Sequence, residues 1–451
     1  MLKRTTTIAA TLVLIYAGSA LGAVSADEAA QLGKNLTMIG AEKAGNKDGT
    51  IPEFTGGNIK SPPGYKHDGW RPDPYAGEKP QFSITAKNMA QYADKLSEGA
   101  KAMLKKYPSF RMDIYKTYRS TAHPKYVQDN TKKCATTAKL TDNGLAFTGA
   151  HACYPFPIPK NGSEAIWNHN LHYEDVTYRE RYRSYTVDAN GRATMQTEGN
   201  VKQEFPYWDQ ANPNSKDFYR LKVNYVGPAR RAGEAFLIID PTDYARDARK
   251  GWQYLPGQRR TKLAPELSFD TPCSIYGGQT TWDDLFLFSG SPERYNWKLV
   301  GKKEMYIPYN DYKMLYQVDH EKDLLKAKHP NPDLVRWELH RVWVVEATLK
   351  SSKRHLYHRR VFYLDEDSWR AAAADQYDGR GQLYRIGFNF VAPSYDSPCM
   401  FGDAFYVHDL LTDSYAINAL PVRGKTGIIH GSKAYPPKEW TPDVLAGEGI
   451  R

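Results

Sequence analysis

The chain has 451 residues, 41% of them hydrophobic and 25% charged, with four cysteines and a formal net charge of +10. That length and apolar content support a substantial core and exclude a disordered or fibrous chain. Outside the cytoplasm a net charge of +10 suggests attraction to anionic lipid head groups or acidic glycans rather than nucleic acid, but Lys and Arg are spread along the chain without a long block, which favours the plainer reading of a generally basic, soluble surface.

Lys3 and Arg4, the apolar run from Ile8 to Ala20, and the small residues Gly22, Ala23, Ser25 and Ala26 form the pattern of a secretory signal peptide over residues 1–26. Val24-Ser25-Ala26 before Asp27 fits the small-residue rule best, with Gly22 or Ala23 as the alternative last residue removed. The run is shorter than the roughly 20 residues needed to span a bilayer, and no cysteine stands near it to accept a lipid. A soluble periplasmic protein is expected.

Residues 27–80 read as an extended N-terminal arm, dense in Gly, Pro, Asp and Lys from Gly45 onward, where regular structure is disfavoured and Phe54, Tyr65, Trp70 and Tyr75 supply anchors. Residues 81–451 read as one domain. Met89, Tyr92, Ala93, Leu96, Ala100, Met103, Leu104 and Tyr107 recur at helical spacing, predicting an amphipathic helix over 85–107 that Pro108 ends. Period-two alternation then predicts a strand over Phe110–Tyr118.

Further strands are predicted at Tyr178–Val187, Phe218–Val226, Ala235–Ile239, Arg336–Leu349, Leu356–Leu364, Gln382–Val391 and Ala404–Leu410. Trp252–Leu255 and Arg259–Leu263 flank a Pro-Gly turn and read as a hairpin, and Thr280 or Thr281 would cap a short helix over Trp282–Phe288. Turn chemistry rather than long helices separates most strands, so the class is α+β and predominantly β, built on one large antiparallel sheet with covering helices.

Four cysteines in an oxidising compartment allow three pairings. Nearness favours Cys134–Cys153, leaving Cys273–Cys399 to close a long loop, each bond worth roughly 2–4 kcal/mol. No C-x₂₋₄-C pair suggests zinc.

No G-x-S-x-G elbow, H-E-x-x-H helix, P-loop or strand-borne G-x-G-x-x-G occurs, and no catalytic residue, metal or cofactor is assigned. His169 and His172 read as hydrogen-bonded histidines, although Glu174 and Asp175 nearby would suit a metal. His355 and His358 fall in a strand-like run and would be exposed on opposite faces. Asp283 and Asp284 suit a helix N-terminus, or acid–base chemistry if they faced a cleft. Asp365–Trp369 and Asp375–Gly381 read as hairpin connections, since neither follows the calcium-loop pattern. The 32 Tyr, 10 Trp and 16 Phe suit either sheet cores or a wall for amphiphiles.

The segment Tyr154-Pro155-Phe156-Pro157-Ile158-Pro159-Lys160-Asn161-Gly162-Ser163-Glu164-Ala165-Ile166-Trp167-Asn168 resembles the signature of a bacterial family known as domain of unknown function 1329. Trp252–Pro256 through Arg259-Arg260, Thr281–Leu285, Trp297–Gly301 and Tyr306–Tyr309 are similar to the strand, hairpin, short-helix and strand order of the LolA/LolB-type lipoprotein-sorting proteins. The resemblance implies a curved half-barrel whose concave face holds an acyl chain, with Trp252, Tyr254 and Trp282 on its wall and Arg259, Arg260 and Lys262 at an anionic head group. It implies a carrier of a hydrophobic or amphiphilic ligand. The alternatives are an accessory module of an envelope transporter and, last, a hydrolase using Asp283 or Asp284.

Overall fold

The computed structural model describes residues 24–57, 60–318 and 321–448, so the signal-peptide expectation falls almost wholly outside the described residues. In chain order the strands are β1 (Phe82–Ile84), β2 (Met112–Ile114), β3 (Lys139–Thr141), β4 (Ala146–Thr148), β5 (Thr177–Val187), β6 (Ala193–Glu204), β7 (Asp217–Gly227), β8 (Ala235–Pro241), β9 (Lys250–Leu255), β10 (Arg260–Leu263), β11 (Tyr295–Pro308), β12 (Trp337–Leu349), β13 (Arg359–Asp365), β14 (Ala371–Tyr377), β15 (Leu383–Ser394), β16 (Cys399–Asp409), β17 (Ser414–Pro421) and β18 (Ile429–Gly431). The helices are α1 (Ala26–Ala29), α2 (Glu98–Lys106), α3 (Lys125–Thr137), α4 (Gly162–Asn170), α5 (Tyr312–Tyr316), α6 (Glu321–Leu324) and α7 (Pro442–Glu448). None of the described helices is long and apolar enough to cross a membrane.

Sixteen strands join one open sheet in the order β1-β2-β12-β13-β14-β15-β16-β17-β5-β6-β7-β8-β9-β10, with β11 on β12 and β18 on β5. The pairings are antiparallel except the single parallel bridge between Trp337 and Ile114. The segment Trp282–Phe288 shows that the sheet curves. Trp282 packs edge-on against Phe236 of β8, Phe286 meets Tyr219 of β7, and Asp283 pairs with Arg360 of β13. Strands β13 and β8 stand eight places apart in the sheet, about 38 Å if it were flat. Seven residues reach both only because the sheet wraps around them.

The predicted helix over 85–107 is two helices. A 3₁₀ turn over Met89–Lys95 ends at Leu96, whose ψ of 144° is extended, and Ser97 caps α2 by accepting from Ala100 N at 3.0 Å. The Glu98 and Gly99 amides donate to Asp375 of β14 at 3.0 and 2.8 Å, so a contact distant in sequence sets the new helix start. Likewise the predicted strand over 110–118 survives only as β2, since Glu338 takes the Tyr118 amide at 2.7 Å and draws the chain off the ladder.

The Pro-rich segment before α4 is held by one side chain. Asn168 accepts from Phe156 N at 3.1 Å and donates to Phe156 O at 2.7 Å, while Asn161 caps the helix. Along the arm, Tyr75 stacks on Tyr118 with centroids 4.6 Å apart and Tyr65 donates to Asp396 at 2.9 Å.

Cys134 and Cys153 are joined, tying α3 to the segment before α4. The second expected bond is absent: Cys273 and Cys399 are buried thiols. Tyr276, three residues after Cys273, packs on Phe405, and Phe405 lies six residues along β16 from Cys399. That is about 20 Å of strand, against the roughly 4.4–6.8 Å between Cα atoms that a disulfide requires. Thiol titration with an aromatic disulfide reagent, without reductant, is expected to read close to zero thiols in the native protein and two per chain in guanidinium; none in guanidinium would mean a second disulfide.

Candidate functional site

The inner side of the sheet is filled. Trp282, Leu285, Phe286, Leu287 and Phe288 are all buried there, and Leu287 enters where Gly387 leaves no side chain, a Cβ at that position falling 2.5 Å from Leu287 Cδ2. Thr281 caps the segment as expected, but the helix kinks at Leu285 and Phe286, and Phe286 and Leu287 take positive φ of 55° and 69°. Such backbone costs on the order of 1–3 kcal/mol per bulky residue and persists only where its surroundings impose it.

An ionic lock imposes it. Arg360 Nη1 lies 3.0 Å from Asp283, and its Nη2 donates to Asp284 at 2.9 Å and to the Leu287 carbonyl at 2.9 Å. His355 Nε2 stands 3.0 Å from Asp283, Tyr357 and Gln376 donate to Asp284 at 2.9 and 2.8 Å, and Thr281 donates to both acids. Burial alone would raise the Asp283 carboxyl, but His355 and Arg360 outweigh it and hold it well below the usual range. Asp283 and Asp284 therefore act as anchors with no cleft beside them. His355 is buried in the loop before β13, not exposed on a strand; only His358 is exposed.

The interior holds a cavity of about 40 Å³, room for a water or two, lined by Glu180, Gln203, Tyr219 and Asp403 and by apolar side chains such as Leu221 and Phe286. Desolvation pushes Glu180 well above the usual carboxylate range and raises Asp403. An acyl chain does not have the space it needs there. His169 is the hydrogen-bonded core residue expected: its Nδ1 accepts from Ala371 N at 3.1 Å, and burial lowers its pKa to about 4.

The hairpin residues and Trp282 lie on opposite sides of the sheet. Leu237 of β8 faces Trp252, whereas its neighbour Phe236 faces Trp282. Tyr254 is buried and Trp252 half-buried with Leu237, Trp440 and Leu445, so both pack under the C-terminal segment that ends in α7. Arg259 occupies the left-handed position of the turn, and Arg260 and Lys262 are exposed along edge strand β10. The structure does not bring these six residues together.

The large hollows lie on the outer side. A cleft of about 850 Å³ is lined by Trp70, Arg71, Arg179, Tyr316, Arg423 and Lys425, with Asp68 and Ile429. The arm forms one wall: Gly69 (φ +82°) passes so close to Ile428 that a Cβ would lie 2.6 Å from its N and O, and Trp70 Nε1 donates to the Lys425 carbonyl at 2.9 Å. Arg423 sits 5.4 Å over the Trp70 ring and donates to Tyr316 O at 2.8 Å, while buried Arg71 is neutralised by Asp396 at 2.7 Å.

Strand β5 supplies the charge. Its alternation turns Tyr178, Glu180 and Tyr182 inward and Arg179, Arg181 and Arg183 outward. Arg181 and Arg183 share Glu198, but Arg179 is exposed with no carboxylate partner among the described residues. Arg179 stands directly opposite Lys202, and Lys202 opposite Lys222, a cross-strand row of like charge that disfavours pairing. Glu439 bridges the two lysines at 2.8 Å each, and their hydrogen bonds hold its carboxyl down at about 2. This row lines a second hollow of about 430 Å³ that shares Arg179, Lys425 and Thr426 with the first. A third, of about 230 Å³, shares Arg423 and is walled by Met314, Leu315, Val318, Leu324, Leu420 and Val422 together with Arg183 and Tyr185, both bound to Glu321. The outer side thus offers a basic trough with an aromatic flank and a smaller slot of mixed apolar and charged wall at one end. The signal for it was present in the i, i+2 spacing of Arg179, Arg181 and Arg183; the arm and the 423–429 loop that complete it carry no local pattern.

Over residues 83–446 the chain matches the family described as "Protein of unknown function (DUF1329)". Uncharacterized protein PA3922 of Pseudomonas aeruginosa is 40% identical over 441 residues, 97% of this chain and 96% of that protein. Among solved structures, a DUF1329 family protein from Desulfovibrio piger is 13% identical with a TM-score of 0.42, covering 62% of this chain and 95% of its own. The LolA superfamily protein NE2245 from Nitrosomonas europaea is 11% identical with a TM-score of 0.39, covering 63% of this chain and 100% of its own.

Arg360→Met leaves two buried carboxylates without their cation and is expected to cost about 3–5 kcal/mol in guanidinium unfolding. A loss below 1 kcal/mol would show that the lock is dispensable. His169 is neutral when folded and has a pKa near 6.5 when unfolded, so its contribution is present above pH 6.5 and is lost as pH falls toward 4. The unfolding free energy of His169→Gln should therefore fall less steeply than wild type between pH 6.5 and 4, by up to on the order of 3 kcal/mol; parallel curves would contradict the assignment.

Proposed function

The chain belongs to the DUF1329 family, and on that premise we propose that it is an exported envelope protein that binds an anionic amphiphile in its outer trough. The observation that carries this reading is the junction at Arg423 of the 850 Å³ basic cleft with the 230 Å³ slot, one wall of which is Met314, Leu315, Val318, Leu324, Leu420 and Val422. Arg179 and Lys425 would meet the acidic head, Trp70 would flank it, and the slot between α5, α6 and β17 would take the chain. Burial there contributes on the order of 0.8 kcal/mol per methylene. Arg179 supports an anion: it is exposed on the cleft and ends the cross-strand row whose other members, Lys202 and Lys222, are bridged by Glu439. A ligand held in this way would be bound for transfer or sequestration.

Titration with decyl phosphate, followed by Trp fluorescence and calorimetry, should give saturable binding that weakens with salt, while decyltrimethylammonium binds at least tenfold more weakly. Arg179→Glu combined with Lys425→Glu should reduce affinity for decyl phosphate at least tenfold, and Arg260→Glu should leave it unchanged. Equal affinity for the two amphiphiles, or no lipid on the purified protein in native mass spectrometry together with no decyl phosphate binding, would sink the proposal.

A further inference from the structure

We propose that His340, Asp365 and Asp367 bind a divalent first-row metal ion, Zn²⁺ being the best chemical fit, and that the ion fastens the N-terminal arm to the sheet. His340 projects from β12, Asp365 closes β13 and Asp367 follows in the turn to β14. One donor atom from each lies within 4.8 Å of the others. A triangle of that size fits inside a circle of radius 4.8/√3, about 2.8 Å, so contraction by roughly 0.6–0.8 Å per donor reaches zinc–nitrogen and zinc–oxygen bonding distance. One imidazole with two carboxylates is a donor set that suits Zn²⁺ or Mn²⁺ better than calcium, which takes oxygen ligands.

The charges around the cluster point the same way. Glu366 is paired with Lys302 at 2.9 Å and Arg341 at 3.5 Å and Glu338 with Arg336 at 2.5 Å, while Asp367 takes Arg119 Nε at 2.8 Å on one oxygen and Nη2 at 2.6 Å on the other and would share its carboxylate between Arg119 and the ion. Asp365 is 2% exposed and has no Lys or Arg partner among the described residues. Ser368 donates to its Oδ2 at 2.6 Å, and its Oδ1 has no hydrogen-bond partner. A buried carboxylate in that condition calls for a cation or a proton. The imidazole is already oriented as a ligand would be: Tyr309 stacks on His340 with centroids 3.9 Å apart, and Glu338 lies 3.3 Å from its Nε2, the outer carboxylate that metal-bound histidines commonly have.

The same turn holds the arm. Trp369 Nε1 donates to Ile39 O at 3.1 Å, Arg341 to Ala44 O at 2.9 Å, Arg119 to Lys43 O at 3.2 Å, and Glu42 N to Glu366 at 3.2 Å. An ion at His340, Asp365 and Asp367 would set this turn and, through it, the arm segment Ile39–Ala44.

The test uses the mature protein stripped with EDTA, then loaded with Zn²⁺ or Co²⁺ and desalted. Wild type and Glu366→Gln, which breaks an ion pair but removes no ligand, should each retain about one equivalent by elemental analysis. Asp365→Asn and His340→Gln should retain at least tenfold less. Zn²⁺ should raise the wild-type melting temperature and slow proteolysis within residues 37–45, with neither effect in Asp365→Asn. If the variants fail to fold, the wild-type Co²⁺ spectrum decides alone. Absence of ligand-field bands at one equivalent, or wild-type retention no greater than that of Asp365→Asn, overturns the proposal and leaves Asp365 neutralised by a proton.

Discussion

Arg360, gripped between Asp283 and Asp284, is the contact on which the architecture turns. A buried ion pair returns little net stability, because desolvating three charged groups offsets most of their attraction. Its consequence here is geometric. The guanidinium also takes the Leu287 carbonyl, so one side chain fixes the acids at the start of the segment and the backbone near its end. Between them Phe286 and Leu287 are held in left-handed backbone that neither would adopt alone. The segment so fastened is what strands as far apart as β13 and β8 wrap around.

Filling the inner side moves the search for function to the outer side, and strand β5 shows how one stretch of chain serves both. Its inward residues include Glu180, in a cavity too small for more than water, where burial pushes its carboxyl well above the ordinary range. Its outward residues are the three arginines. The alternation thus places a desolvated carboxyl on one side of the strand and three arginines on the other.

The strands with clean alternation or long β-branched runs, β5, β7, β8, β12 and β15, were legible in the sequence, as was the hairpin of β9 and β10. Others were not. The inward positions of β6 are Thr197, Gly199, Val201 and Gln203, too small or polar to register as an apolar stripe. The four alanines opening β14 favour helix by propensity, yet the strand is buried from end to end because the sheet needs small side chains there. The Leu96–Ser97 break depends on Asp375, nearly 280 residues away, and the Asp283–Arg360 pairing likewise joins residues with no sequence relation. Trp252 and Tyr254 carried the right fold signal, a hairpin, but their faces belong to the C-terminal segment.

That segment does two jobs at once. Trp440 and Leu445 cover the aromatic face of β8 and β9, which would otherwise be an exposed apolar patch near the edge of the sheet. One residue earlier than Trp440, Glu439 discharges Lys202 and Lys222, the inner members of the basic row. The positive field that a ligand can reach is therefore pushed to the far end of the row, at Arg179, where β18 and the loop carrying Lys425 meet the arm. The Pro- and Gly-rich arm can form the wall there because it lacks regular structure: an extended chain with Gly69 pressed against Ile428 brings Trp70 within reach of Arg423 and Lys425, an approach a helix or strand would be too wide to make.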